Sequence, residues 1–258
     1  LNDRVALITG SAGGIGRHLA LRFAEEGAAI GVADRDLGAA RRVADAIREA
    51  GGAAEALAMD VADEAQVEAG VEALVRRFGG VDILVSNAGI QHIAPLVDLS
   101  LDDWRRVLSV HLDGAFLTTR ACLRKMIAQG RGGRILYTGS VHSVEASPLK
   151  APYVAAKHGL LGLARLVAKE GAAHGIVANV VCPGFVRTPL VEGQVAAQAR
   201  ALGITEDEVV RDVMLRQTVD GEFTTMADVA EVALFFCAFP TAALTGQSLV
   251  VSHGWHMQ

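Results

Sequence analysis

The sequence predicts a single α/β domain built as a doubly wound, seven-stranded parallel sheet with helices on both faces. Three observations predict it. Short apolar runs of strand length alternate with longer segments of helical period along the whole chain, the pattern of repeated βαβ units. A glycine-rich turn stands between the first such strand and the first helix. Of 258 residues, 51% are apolar but only 5% aromatic, which suits small-residue helices packed over one buried sheet.

Strands are expected at 5–9, 29–33, 54–59, 83–86, 134–138, 176–182 and 248–251, and helices at about 15–26, 36–50, 63–78, 102–128, 151–173 and 227–238. Arg4-Val-Ala-Leu-Ile-Thr9 is a short apolar run, and Arg17-His-Leu-Ala-Leu-Arg-Phe-Ala24 follows at helical period. Ile30-Gly-Val-Ala-Asp34 ends the second strand on an acid, Asp60-Val61 closes the third, and Asn87 closes the fourth. Arg134-Ile-Leu-Tyr-Thr-Gly-Ser140 makes the fifth strand and leads to a serine. Only 189–223 breaks the alternation. It follows Pro189 and contains Thr205-Glu-Asp-Glu208, a capping-box signature for a short helix. Lying after the sixth strand, it falls at the carboxyl edge of the sheet, where ligands bind, and is expected to be a small helical substrate lid. No repeat, low-complexity tract or linker interrupts the chain, so one domain spanning 1–258 is expected.

Composition excludes several classes of function. No apolar run reaches the ~18–20 residues of a membrane span; the richest, 226–239, is broken by Asp228 and Glu231. A net charge of −5 without a basic stripe argues against nucleic acid. Cys122, Cys182 and Cys237 are scattered and odd in number, which suggests buried thiols in a reducing compartment. No signal peptide is apparent before the first strand, so a cytoplasmic protein is expected. The eight histidines show no metal-ligand spacing, and no metal is expected.

Two constellations carry chemistry. In Thr9-Gly-Ser-Ala-Gly-Gly-Ile-Gly16, glycines let backbone N–H groups approach a pyrophosphate whose charge the helix N-terminus favours. Gly10, Gly14 and Ile15 are the expected phosphate-side positions, and Gly16 allows close helix–strand packing. Further along, Tyr153 and Lys157 lie at i and i+4 on one helix face, with Ser140 upstream. A phenol of pKa near ~10 is a poor base at neutral pH, and a nearby ammonium favours its phenolate. Ser140, Tyr153 and Lys157 therefore suit proton transfer for a carbonyl/alcohol couple.

Following Thr9 to Gly16, Asp34, Asp60-Val61, Asn87-Ala-Gly89, Ser140, Tyr153, Lys157, Pro183-Gly184 and Thr188 in order, nearly the whole chain resembles the short-chain dehydrogenase/reductase family. The resemblance implies a Rossmann-type fold, hydride transfer with a nicotinamide dinucleotide, and Tyr153 as general base and acid. It also implies that Ser140 holds the substrate oxygen and that Lys157 lowers the Tyr153 pKa and binds the nicotinamide ribose. Asp60 and Val61 resemble the adenine contact, Asn87 lies beside the cofactor, and Val186 with Thr188 resembles the carboxamide contact. For Asp60 a helix N-cap, and for Asn87 a turn residue, are the plainer alternatives. Asp34 can accept hydrogen bonds from the adenosine ribose and repel a 2′-phosphate. Arg35 could attract that phosphate, but Gly13 stands where members preferring NADP often carry a base. NAD is the expected cofactor.

Gln91, His142, Lys150, Gln194 and Trp255 surround these motifs. Each has a bland reading as a loop, surface or packing residue. With Tyr153-Val-Ala-Ala-Lys157-His-Gly and Cys182-Pro-Gly-Phe-Val-Arg-Thr-Pro-Leu-Val191, they resemble one branch of the family, the bacterial D-3-hydroxybutyrate dehydrogenases of ketone-body metabolism. That resemblance implies a small-molecule carboxylate substrate, held by Lys150, His142, Gln91 and Gln194, and a homotetramer. Another secondary alcohol, a 3-oxoacyl substrate and a non-catalytic NAD-binding regulator are the competing readings. Two positions depart from the family pattern. His111 replaces the Asn associated with a water beside Lys157, and Ser252-His253-Gly254 replaces Asp-Gly-Gly.

Overall fold

The computed structural model describes residues 1–257. Seven strands, β1 (Val5–Thr9), β2 (Ala29–Asp34), β3 (Ala54–Ala58), β4 (Ile83–Ser86), β5 (Gly133–Thr138), β6 (Ile176–Pro183) and β7 (Ser248–Val251), form one sheet in the order β3-β2-β1-β4-β5-β6-β7. Every pairing is parallel.

Both faces are covered, as a parallel sheet requires. Successive side chains of a strand point to opposite faces, so β1 feeds two separate cores. Ala6 and Ile8 pack with Leu19 and Phe23 of α1 (Gly14–Glu25), Val43 and Ile47 of α2 (Leu37–Glu49), and, last in the chain, Phe236 of the helix Met226–Ala238. Val5 and Leu7 pack on the other face with α3 (Glu64–Phe78), with Met126 of the helix Gly114–Gln129 and with Leu160 of the helix Ala151–Gly171. Because β1 lies between β2 and β4, the crossovers diverge there, and the strand ends open into a crevice.

The segment expected as one helix at 102–128 is α4 (Leu101–Leu108) and α5 (Gly114–Gln129), joined by a π-helical turn at Ser109–Asp113. The Gly114 N–H reaches back to the Ser109 carbonyl, one residue further than an α-helix allows. His111 lies in this turn and is buried. A side-chain periodicity argument has no means of detecting one added backbone residue.

After β5, the fold continues through α6 (Ala151–Gly171) and β6 into α7 (Pro189–Leu202), which Thr188 caps. The expected capping box forms between Thr205 and Glu208, but α8 (Glu206–Glu208) is a single turn that passes into a second π-helical stretch, Val209–Met214. α9 (Met226–Ala238) follows. Phe185, Val195, Ala199, Val209 and Met214 form a third, small apolar cluster with Trp255 against it. Among the described residues no helix is long and apolar enough to cross a membrane.

Candidate active site

The crevice at the strand ends is a cleft of about 580 Å³. Its floor is the glycine turn. Gly10 has φ +63°, and a Cβ there would stand 2.8 Å from the Ala88 Cα. Gly14 has φ +52°. A Cβ on Gly16 would lie 2.3 Å from the Gly10 carbonyl oxygen, so this glycine permits close approach of the helix to the turn. Helix α1 starts with neither a side-chain cap nor an acid in its first turn, whereas α2, α3 and α4 are capped by Asp36, Asp63 and Ser100. Its first N–H groups are left for an anion. The residues present therefore fit the pyrophosphate of a dinucleotide.

Asp34 accepts the Ala12 N–H at 3.1 Å through one oxygen and the Asp36 N–H at 3.1 Å through the other. It thus braces the glycine turn at the cleft wall. Asp60 does not cap α3; Asp63 does, and Asp60 and Val61 line the cleft. Asn87 is more than a turn residue. Its Nδ2 donates to the Thr9 carbonyl at 2.9 Å, and its Oδ1 accepts from the Thr138 hydroxyl at 3.2 Å, tying three strand ends together.

Ser140 leaves β5 and caps the short turn Val141–Ser143, facing Tyr153 and Lys157 of α6 across the cleft. Lys157 Nζ donates to the Thr138 carbonyl at 2.5 Å and lies 5.3 Å from the centre of the Tyr153 ring. Burial lowers its pKa to about 8. The Tyr153 phenol behaves differently from the expectation that Lys157 lowers it. Burial pushes it up to about 12, and the opposing influence is the Ser140 hydroxyl. Desolvating a phenolate outweighs an ammonium that lies against the ring and is engaged elsewhere.

A dinucleotide cradle and a Ser–Tyr–Lys trio thus share one cleft, and residues 4–199 match the family model described as short chain dehydrogenase. The chain belongs to the short-chain dehydrogenase family. It is 38% identical to a D-beta-hydroxybutyrate dehydrogenase of Rhizobium meliloti over 99% of both chains. It is 37% identical to the enzyme of that name from Cupriavidus necator over the full length of both. The solved structure of sorbitol-6-phosphate 2-dehydrogenase from Erwinia amylovora matches with a TM-score of 0.93 at 33% identity, covering 98% of this chain and all of that one. Short-chain dehydrogenases generally bind NAD or NADP.

His111, at the position where this dehydrogenase departs from the family pattern, is buried with its ring edge-on to Tyr153, centroids 5.2 Å apart. Its Nε2 lies 2.7 Å from the Ile90 carbonyl oxygen. The Ile90 N–H also reaches Nε2, at 3.1 Å, so Nε2 donates to the carbonyl in one tautomer and accepts the N–H in the other; among the described residues Nδ1 makes no hydrogen bond. Burial, reinforced by the Lys157 charge, lowers the His111 pKa to about 3.

The same cleft also gathers Gln91, His142, Lys150, Gln194 and Trp255. Neither His142 nor Lys150 is on the surface. Lys150 is brought in at the N-terminus of α6, where its ammonium lies 4.5 Å from the centre of the Phe185 ring. Burial lowers its pKa to about 8, and among the described residues it pairs with no carboxylate. His142 is lowered to about 3 by burial and by Lys150, so the ring offers a neutral donor and not a second charge. Its Nδ1 lies 3.2 Å from the Ser140 hydroxyl, while Nε2 is buried without a partner.

Two expected donors are arranged otherwise. Gln194 gives its Nε2 hydrogen to the Leu190 carbonyl at 3.2 Å and leaves Oε1 unpartnered, so holding an anion requires its amide to rotate. The Gln91 Oε1 accepts the N–H of the next residue, His92, at 3.0 Å. Thr188 uses its hydroxyl to cap α7, and Val186 bridges to Thr224, with both still on the cleft wall. Trp255 is a wall as well, stacked on Phe185 at 5.0 Å with 10° between the planes. Sequence reasoning missed Thr138, which fixes Lys157, and Phe185, which sits under Lys150. Phe185 stands in the quoted run after Cys182, but nothing in that run announces which way its ring points. Among the described residues no three metal-ligating side chains are grouped.

Proposed function

We propose that this short-chain dehydrogenase interconverts D-3-hydroxybutyrate, or a similar short 3-hydroxy acid, with acetoacetate or its counterpart, using NAD. The observation that carries the reading is the Lys150 ammonium, buried beside the Ser–Tyr–Lys trio and lacking a carboxylate partner. A buried unpaired cation is costly, and a small anion whose reacting carbinol lies two bonds from its carboxylate would relieve that cost while presenting the carbinol to Tyr153. The similarity to two D-beta-hydroxybutyrate dehydrogenases supports the same reading.

When bound, the nicotinamide dinucleotide supplies the hydride acceptor. Gly10, Gly14 and Ile15 would take its pyrophosphate, Asp34 its adenosine ribose, Asp60 and Val61 its adenine, and Val186 and Thr188 its carboxamide end. Ser140 orients the substrate oxygen by hydrogen bonding. Tyr153 takes the hydroxyl proton as phenolate, a state that burial disfavours and that positive charge beside the ring favours, while the carbinol hydrogen leaves as hydride; in reduction the phenol returns that proton. Lys157 supplies positive charge beside Tyr153, and Lys150, His142 and Gln91 hold the carboxylate with Gln194 rotated. The segment 189–223 and Trp255 exclude water, which strengthens every polar interaction inside.

A second reading, a neutral polyol or other secondary alcohol, is favoured by the unpartnered Gln194 Oε1, an acceptor suited to a hydroxyl group. A panel of 3-hydroxybutyrate enantiomers, their methyl esters, longer 3-hydroxy acids and polyols, monitored by NADH absorbance, separates the two. Preference for the free D-acid supports the proposal, and equal turnover of acid and ester overturns it. On either substrate Tyr153→Phe should lose at least ~10²-fold in kcat, because proton transfer itself is removed.

A further inference from the structure

Glu145 is not part of the cleft lining, yet it joins two parts of the substrate side. It follows the Val141–Ser143 turn that carries His142. Its Oε2 accepts the Trp255 indole N–H at 3.1 Å, from a residue 110 positions away. Its Oε1 lies 2.6 Å from His256 Nδ1. A carboxylate only accepts, so His256 carries a proton on Nδ1, and its Nε2 is buried without a partner. One carboxylate thus grips two consecutive residues of the C-terminal segment.

The Trp255 ring in turn stacks on Phe185 and meets His142 edge-on at 5.4 Å. Phe185 lies under the Lys150 ammonium. Stacking alone lets a ring slide in its plane, whereas a hydrogen bond from its N–H sets its position along that plane. Glu145 and His256 are partly solvent-accessible, and pairs of that kind contribute little to folding. Their consequence is expected in the placement of the wall more than in stability.

We propose that Glu145 is a positioning residue of the substrate pocket: by holding Trp255 and His256 together it sets the Trp255–Phe185 wall against which substrate is bound, without touching substrate or cofactor. The inference rests on the reading that the cleft beside Ser140 and Tyr153 is the substrate site, but not on which alcohol is the substrate.

The chain has two tryptophans, so a Trp104→Phe background leaves Trp255 as the sole reporter. In that background Glu145→Ala should increase acrylamide quenching of Trp255 at least ~2-fold. It should raise KM for the alcohol that the wild type turns over best by about tenfold, the scale of a lost charge-assisted hydrogen bond, with kcat and the KM for NAD little changed. Glu145→Gln, whose amide oxygen accepts the indole N–H while its NH2 donates to His256 Nδ1 once that proton has moved to Nε2, should restore both readouts. Trp255→Phe keeps an aromatic face but removes the N–H; it should raise the same KM by at least a similar factor, and adding Glu145→Ala to it should raise KM no further. This variant keeps the test decisive where Glu145→Ala does not fold. Unchanged quenching in Glu145→Ala, a loosened Trp255 with unchanged KM, or additive effects in the double variant would each overturn the proposal. Because KM is read on whichever alcohol is turned over, a non-acid substrate would refute the hydroxy-acid reading and leave this test intact.

Discussion

The Lys150 ammonium lies 4.5 Å from the centre of the Phe185 ring, buried and facing no carboxylate among the described residues. An aromatic face offsets part of the desolvation of a cation but leaves its charge available to an anion. Truncating Lys150→Ala should cost about 1.5–3 kcal/mol in kcat/KM for a 3-hydroxy acid, roughly ten- to a hundredfold, and much less for its methyl ester. The pH dependence has a definite sign. Below its pKa of about 8 Lys150 is charged, and as pH rises through that value the attraction for a carboxylate is lost. The acid-to-ester ratio of kcat/KM should therefore fall above about pH 8 in the wild type and stay flat in Lys150→Ala. Taking the ratio removes Lys157 and Tyr153, which act on both substrates.

Asp34 already accepts two backbone N–H groups at the cleft wall, so its carboxylate is oriented before any ligand arrives. NAD should be preferred to NADP. Asp34→Ser should weaken NAD binding and relieve repulsion of a 2′-phosphate, leaving Arg35 free to engage it. Titration of both dinucleotides against the two proteins checks this, and equal turnover of NADP by the wild type would contradict the assignment.

His111 is proposed to stand in for the usual Asn by holding a water beside Lys157, either through its free Nδ1 or through backbone of the Ser109–Asp113 turn. If the ring takes part, His111→Asn should retain activity and His111→Leu should lose about tenfold or more with a shifted pH–rate profile. Full activity and an unchanged profile in His111→Leu would assign the relay to the backbone. The same ring is expected to affect acid stability. Its folded pKa of about 3 lies below the ordinary histidine value. Between the two values the unfolded chain binds a proton that the folded one does not, so stability falls as pH drops through that window, by up to about 1.4 kcal/mol per pH unit. Denaturant unfolding of His111→Asn should show a shallower loss of stability from pH 7 to pH 4 than the wild type.

Phe116 on α5 and Leu166 on α6 are about half exposed, at 48% and 50%, and Ile127 lies further along α5. Apolar side chains on two long helices suit burial against a second copy, in keeping with the proposed homotetramer. Light scattering at micromolar concentration should give four times the 27.0 kDa chain mass; a monomer mass would refute it.

The sheet and its covering helices were legible in the sequence because both rest on local signals. Buried parallel strands must be apolar on both faces, and a glycine turn must lie between strand and helix for the backbone to approach a phosphate. All seven strands accordingly fall within a residue or two of their expected places. Tyr153 and Lys157 were legible for the same reason, since i and i+4 share a helix face.

What the sequence alone determined was therefore the α/β architecture, the glycine turn and the grouping of Ser140, Tyr153 and Lys157 that the cleft brings together. Only the tertiary structure decided how these groups behave. Burial, not the neighbouring Lys157, dominates the Tyr153 pKa, because desolvation depends on everything packed around a phenol. His111 is buried within a turn that holds one added residue, which no side-chain period records. Glu145, Trp255 and His256 meet across 110 and 111 positions, and Phe185 finds Lys150 from a different loop. Contacts of that range arise only when the chain has closed on itself, so no spacing within the sequence encodes them.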